Sequence, residues 1–209
     1  NPCDYQFGLT GTFALLMGNA IGLPSLWNTK TGESGVGIFA LMDQGSNNGR
    51  GLIPAPPDPW TRIWAGWENY KYVSTGELVR LNSRDSFKDE IAKVVISPDE
   101  YFLVENRNNW IRPRVDIDSI RWSTDDLTYI QAILDSSNLL IDDDTGVVIG
   151  SSNYDLGLPG SGILIWHIDE NRISDGIIND NLNINNSERA IDLEEADGAQ
   201  DIGYPSSFL

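Results

Sequence analysis

The chain contains very little cysteine and histidine. Cys3 is the single cysteine and His167 the single histidine among 209 residues. One cysteine excludes a disulfide within the chain and a zinc site built from thiolates. A disulfide from Cys3 to another segment of polypeptide stays open. The length is sufficient for a hydrophobic core that stabilises the fold without such cross-links.

Positive charge and long apolar runs are also scarce. Lys and Arg number 14 against 31 Asp and Glu, which gives a formal net charge of −17. An acidic surface of this kind repels nucleic-acid phosphates and anionic membranes. No apolar run reaches the roughly 20 residues that span a bilayer. We therefore expect neither nucleic-acid binding nor membrane insertion, whereas calcium binding or extracellular solubility suits this composition.

The first third of the chain predicts helices and ordered loops. Residues 11–22 carry apolar side chains on nearly every side and predict a buried helix that stops at Gly22. Residues 29–51 are rich in Gly, Asn and Ser and predict an ordered loop. A short helix is predicted at "DPWTRIWAGW", with Asp58 as its N-cap and Pro59 at its first position.

The remainder predicts short β-strands. "YKYV", "GELVRL", "EIAKVVIS" and "EYFLVENR" are rich in Val, Ile and Tyr and are separated by turn residues. "GILIWHIDE" predicts the most buried strand. Residues 108–160 are acidic, rich in Asn and too long for a hairpin loop, so they predict an excursion with small elements of its own. The sequence thus predicts an α+β fold, with a helical, loop-rich unit at 1–67 and a mainly antiparallel, β-rich unit at 68–209.

Several spaced blocks carry a family resemblance. "GNAIGLPSLWNT", "GVGIFALMDQGSNNG" and "PPDPWTRIWAGW", followed in order by "EYFLVENRN", "YDLGLPGSGILIWHIDEN" and "IDLEEADGAQDIG", resemble secreted metallopeptidases of the immune inhibitor A type. Blocks in one order are a more specific signal than one motif. The resemblance covers the chain except for about residues 109–153. It implies a metzincin-like scaffold, in which a helix carries H-E-x-x-H-x-x-G-x-x-D and a loop with Leu-Met passes beneath the zinc.

When the zinc motif is aligned with this chain, the residues that shape the backbone are retained, but the metal ligands and the general base are not. The turn glycine is Gly22, and the loop methionine is Met42. The ligand and general-base positions fall on Leu15, Leu16, Asn19 and Ser25. A leucine has no lone pair to donate, and an amide or a neutral hydroxyl is a poor zinc ligand. The resemblance therefore implies the scaffold without its zinc site.

Catalysis by the family's mechanism needs both the metal and the base. Leu16, at the base position, cannot take a proton from water. Without zinc the pKa of water stays far above neutrality instead of falling to about 7, so very little hydroxide is available at neutral pH. Loss of a general base alone costs a factor on the order of 100 to 10,000 in rate. We predict no zinc site and no peptidase activity, and we interpret His167 as a hydrogen-bonded structural residue.

Calcium is the cofactor that the sequence favours. "IDDDTG" places carboxylates at alternate positions ahead of a turn, which is a partial match to an EF-hand loop. "LEEADGAQD" offers a second acidic group within a block that resembles the family, and those peptidases are calcium-stabilised. The candidate ligands are Asp142, Asp144, Glu194, Glu195, Asp197 and Asp201. The alternative is that these residues only form turns.

These observations predict a catalytically inactive pseudoprotease of the secreted or cell-surface compartment. It would serve as a binding or structural module for a protein partner or an extracellular assembly. Because the sequence begins just ahead of its first helix, we expect a piece of a longer protein, and an upstream segment of that protein is a further candidate partner.

Two other functions stay open. One is a secreted hydrolase with an atypical site, or with a site completed by a missing segment. The other is a carbohydrate-binding surface module, which exposed coplanar tryptophans would favour. Trp60, Trp64 and Trp67 recur on one face of the second predicted helix, where packing into the core is the expectation.

Overall fold

The largest element of the fold is a five-stranded β-sheet. The computed structural model describes residues 8–83, 91–112, 115–116, 139–145, 148–151, 153–199 and 201–202. The helices and strands are α1 (Thr10–Ala20), α2 (Pro59–Trp64), β1 (Tyr70–Tyr72), β2 (Ile91–Val95), β3 (Glu100–Arg107), β4 (Trp110–Arg112), β5 (Val115–Asp116), β6 (Leu139–Ile141), β7 (Val148–Ser151), β8 (Gly162–Asp169), α3 (Glu170–Gly176) and β9 (Ile191–Leu193). Short 3-10 segments lie at Gly37–Phe39, Gln44–Gly51, Tyr154–Gly157 and Ile177–Asn179.

The strand order of the main sheet is β1-β2-β3-β8-β9. β1 runs parallel to β2, and the other neighbouring strands are antiparallel. β3 and β8 pair along their full length, from Glu100 opposite Asp169 to Arg107 opposite Gly162. The predicted α+β class with a mainly antiparallel sheet is thereby confirmed at this coarse level. The predicted strand "GELVRL" is wrong, because this segment is irregular and Leu78 is 98% exposed.

One face of the sheet packs against the first third of the chain. The hydrophobic core combines Leu26 and Met42, from the loops after α1, with Leu103 of β3 and Trp166 and Ile168 of β8. Each of these side chains is at most 1% exposed. A single core therefore draws on residues from both sides of the predicted boundary at position 67.

The other face of the sheet is largely open, which corrects the prediction for β8. Trp166 and Ile168 are buried, but Ile163 is 54% and Ile165 is 40% exposed. Continuous apolar runs are typical of strands that are buried on both faces, as in parallel sheets. In this antiparallel sheet, alternate residues of β8 face away from the core, so half of the run stays accessible.

The sequence predictions for α2 and for the excursion agree with the structure. Asp58 caps α2 by accepting a hydrogen bond from the Thr61 N–H at 3.0 Å, and Pro59 is the first helical residue. The described part of the predicted excursion contains two small hairpins, β4–β5 and β6–β7. Its residues 117–138 lie outside the described ranges. Within the described ranges, no helix is long and apolar enough to cross a membrane.

A buried carboxylate orders the loop after α1. Asp43 accepts hydrogen bonds from the Ser34 hydroxyl and from the N–H groups of Gly35, Val36 and Gly37, at 2.7–3.0 Å. Burial raises the pKa of Asp43, while these donors act in the opposite direction. The prediction of an ordered loop is confirmed, and Asp43 supplies the physical reason because one side chain gathers several backbone groups.

Candidate functional site

The four positions that correspond to the zinc motif occupy different environments. Leu15 is partly buried and packs against the core, whereas Leu16 and Asn19 are exposed. Ser25 is 1% exposed, and Asp180 accepts hydrogen bonds from its N–H at 2.6 Å and its hydroxyl at 2.7 Å. These four side chains include no imidazole, carboxylate or thiolate, which are the groups that bind zinc in proteins, and no general base.

The methionine of the following loop lies directly beneath α1. Met42 is fully buried, and a Cβ atom on Gly18 would lie only 2.6 Å from its sulfur. Gly11 is packed even more tightly, since a Cβ atom there would lie 1.7 Å from the Ser46 carbonyl oxygen. The helix therefore meets the loop through its glycine edge, where backbone approaches backbone.

The opposite side of α1 is an uncharged apolar face. It consists of Leu9, Phe13, Leu16, Met17 and Ile21, which are between 55% and 66% exposed. Their spacing of three and four residues places them on one side of the helix. The prediction of a buried helix is wrong for this side. The bulky side chains point away from the protein because only the glycine edge can approach the loop closely.

Residues that follow the 3-10 turn after α3 form hydrogen bonds to the segment that follows α1. Asp180, with a left-handed φ of 49°, holds Ser25, and its carbonyl oxygen accepts a bond from the Thr29 hydroxyl at 2.9 Å. Asn183 is fully buried and donates to the carbonyl oxygens of Leu26 and Ile191. Neither anchor is evident from the sequence, because Asp180 lies 155 positions from Ser25 and Asn183 lies 157 positions from Leu26.

The calcium candidates lie on separate turns. Asp142 accepts bonds from the N–H and hydroxyl of Thr145 in the β6–β7 turn, and the hydroxyl bond lowers its pKa. After β9, Glu195 accepts from the Ile202 N–H and Asp197 from the Ala199 N–H. Among the described residues, no three acidic, His or Cys side chains form a group able to hold a metal. Calcium stabilisation stays a prediction from the resemblance.

His167 lies on the open face of the sheet. Its Nε2 atom is 2.9 Å from a Glu100 carboxylate oxygen, and its ring packs on Phe102 at 5.4 Å between centroids. The Glu194 carboxylate lies 4.0 Å from Nδ1. The prediction that His167 is hydrogen-bonded on a strand is confirmed.

An aromatic surface surrounds the end of α2. The Trp60 and Trp64 rings stack 5.7 Å apart at an interplanar angle of 14°. Trp60 is buried, as predicted, but Trp64 is 49% and Trp67 is 56% exposed, so the core-packing prediction is wrong for these two. Trp60 donates to the Glu170 carboxylate, which also accepts a bond from Tyr101. The pKa of Tyr101 is raised, mainly because the side chain is buried and secondly because of its bond to Glu170.

A buried ionic network joins α2, β3 and the end of the excursion. Glu105 contacts Arg62 at 2.7 Å and Arg107 at 3.0 Å, and Arg107 contacts Asp155 at 2.6 Å. Each residue is at most 4% exposed. Burial alone would lower the pKa of Arg107, but Asp155 and Glu105 outweigh it and raise that pKa. The network is a structural feature, because each charge is already compensated inside the core.

Comparisons with family models, with curated proteins and with solved structures give no match to the chain. The metzincin-like scaffold therefore stays a prediction that rests on the sequence blocks.

Proposed function

We propose that this chain is a catalytically inactive, metallopeptidase-like domain of the secreted or cell-surface compartment. The observation that carries the proposal is the chemistry of α1, where leucine and asparagine stand at the ligand and base positions. The turn glycine, the buried methionine loop and the helix itself remain, so the scaffold would persist without its reaction. The acidic composition supports an extracellular setting.

The same domain would act as a binding or structural module for a protein partner. The apolar face of α1 supports this role, because five large side chains on one helix side are more than half exposed. Exposed apolar patches commonly mark protein interaction sites. A partner that covers this face would desolvate no charged group of α1, since residues 10–20 contain none. Association there would avoid the cost of burying unpaired charge.

A peptidase assay tests the inactive state. With fluorescent casein as substrate, we expect hydrolysis at the buffer background, unchanged by EDTA or by added zinc. Asn19→Ala is the matched control, because it removes the exposed polar group at these positions, whereas the other polar residue, Ser25, is buried and bonded to Asp180. Cleavage that EDTA abolishes, zinc restores and Asn19→Ala weakens would contradict the proposal and favour an atypical hydrolase.

Carbohydrate binding is the second candidate function, and the exposed tryptophan next to α2 favours it. Trp64 is backed by the nearly coplanar ring of Trp60, so it presents a rigid aromatic surface at little cost in side-chain entropy. Glycan-array binding that Trp64→Ala abolishes, with Trp60 retained, would support this function over a protein-binding role.

A further inference from the structure

Among the residues that the structure describes, none pairs with one side of β8 near Gly162. β9 pairs with β8 only at Trp166, His167 and Ile168, and the bond from the Glu194 N–H to the Ile165 carbonyl at 2.9 Å ends the contact. In an antiparallel sheet, alternate residues direct their peptide groups to the same side. Ile163 therefore directs its N–H and C=O towards the side of β9, but the chain turns away at residues 195–198.

A cavity of about 270 Å³ lies at this end of β8, with Gly162 and Ile163 in its lining. Phe39, Leu158 and Leu164 supply apolar walls, Arg107 lies in the lining, and Gly162 contributes no side chain. Gly162 lies opposite Arg107 in the sheet, so both belong to the core-facing set of positions. A strand added next to β8 would direct every second side chain towards that same face, and hence towards the cavity.

The surroundings of the edge are acidic. Glu194, whose side chain is 42% exposed, is the last residue to bond to β8, and exposed Asp197 follows in the turn. A peptide strand could pair with β8 beyond the end of β9. Its residue opposite Ile163 would then lie on the open face of the sheet, the same face as Glu194. A positively charged side chain at that place would be attracted by Glu194 and by the net charge of −17.

We propose that the uncovered edge of β8 at Gly162–Ile163 binds an extended peptide as an added strand, with an apolar side chain in the cavity and an adjacent basic side chain next to Glu194. Main-chain bonds to Ile163 supply affinity, and the cavity and the acidic turn supply specificity, as in other cases of strand addition. This site is independent of α1 and of the proposed inactive state.

The test uses fluorescein-labelled peptides and fluorescence anisotropy. The probe Thr-Lys-Leu-Lys-Thr has the inferred pattern, Thr-Lys-Asp-Lys-Thr replaces the apolar residue, and Thr-Glu-Leu-Glu-Thr reverses the charge. We expect the first probe to bind at least about tenfold more tightly than the other two, which corresponds to about 1.4 kcal/mol. Equal binding of the three probes, or no binding of the first, overturns the proposal.

Two substitutions at Ile163 separate backbone pairing from side-chain contact. Ile163→Pro removes the outward N–H without removing a bond to β3, and should abolish binding of the first probe. Ile163→Thr keeps that N–H and should change the affinity less than about threefold, because the side chain is 54% exposed. Retained binding by a folded Ile163→Pro variant overturns the proposal.

A charge reversal decides the question if Ile163→Pro does not fold. Glu194→Lys should weaken binding of Thr-Lys-Leu-Lys-Thr and strengthen binding of Thr-Glu-Leu-Glu-Thr, and both effects should diminish as salt is added. An unchanged preference in Glu194→Lys would show that the peptide does not lie beside the acidic turn, and the proposed site would be wrong.

Discussion

Replacing Arg107 with methionine is expected to destabilise the fold by about 3–5 kcal/mol, because the substitution leaves buried Asp155 without its cation and buried Glu105 with Arg62 alone. For a domain of this size, each kcal/mol shifts the melting temperature by about 2–4 °C. Denaturant and thermal unfolding, followed by circular dichroism, would measure the loss. The size of the effect reflects the removal of one partner from a network that is almost fully buried.

A surface arginine provides the matched control. Arg172 contacts Asp169 and Glu188, but its side chain is 40% exposed. Arg172→Met should cost less than about 1 kcal/mol, since solvent screens exposed ion pairs. Similar losses for Arg107→Met and Arg172→Met would contradict the structural role assigned to the network.

Gly11→Ala is expected to destabilise the protein by about 1–3 kcal/mol or more, although the same change inside an ordinary helix stabilises by about 1 kcal/mol. The reversal of sign follows from the 1.7 Å approach of the new Cβ atom to the Ser46 carbonyl oxygen. Because that oxygen belongs to the backbone, α1 must move away from the loop to relieve the overlap. Denaturant unfolding measures the change in the free energy of unfolding.

Two further glycines make this prediction a graded series. Gly18→Ala meets the flexible Met42 sulfur at 2.6 Å and should cost less than Gly11→Ala. Gly160→Ala meets no atom within 4 Å and should be nearly neutral. If Gly11→Ala stabilised the protein as it would an isolated helix, α1 would not pack on the loop through its glycine edge.

The sequence predicted those elements whose signals are local. Asp58 as N-cap and Pro59 as first helical residue predicted the start of α2, and a composition rich in β-formers predicted β3. The apolar composition of α1 predicted a helix correctly, but it could not show that glycines alone would approach the loop. Burial is a tertiary property, and the open side of β8 was misjudged for the same reason.

Long-range polar partners could not be read from the sequence. Asp155 lies 48 positions from Arg107, and Asp180 lies 155 positions from Ser25. One available signal was the alternation in "EYFLVENR", in which Glu105 and Arg107 share the inward side with Tyr101 and Leu103. Charged residues at inward positions of a strand indicate a buried ion pair, because unpaired charges are rarely tolerated there.

Zinc binding tests the central claim most directly. Isothermal titration of zinc into the metal-free chain should reveal no stoichiometric site that depends on α1, and Asn19→Ala should give the same titration as the unmodified protein. The reason is that leucine offers no electron pair and the remaining amide is a poor ligand for this ion. One tightly bound zinc per chain that is lost in Asn19→Ala would contradict the account.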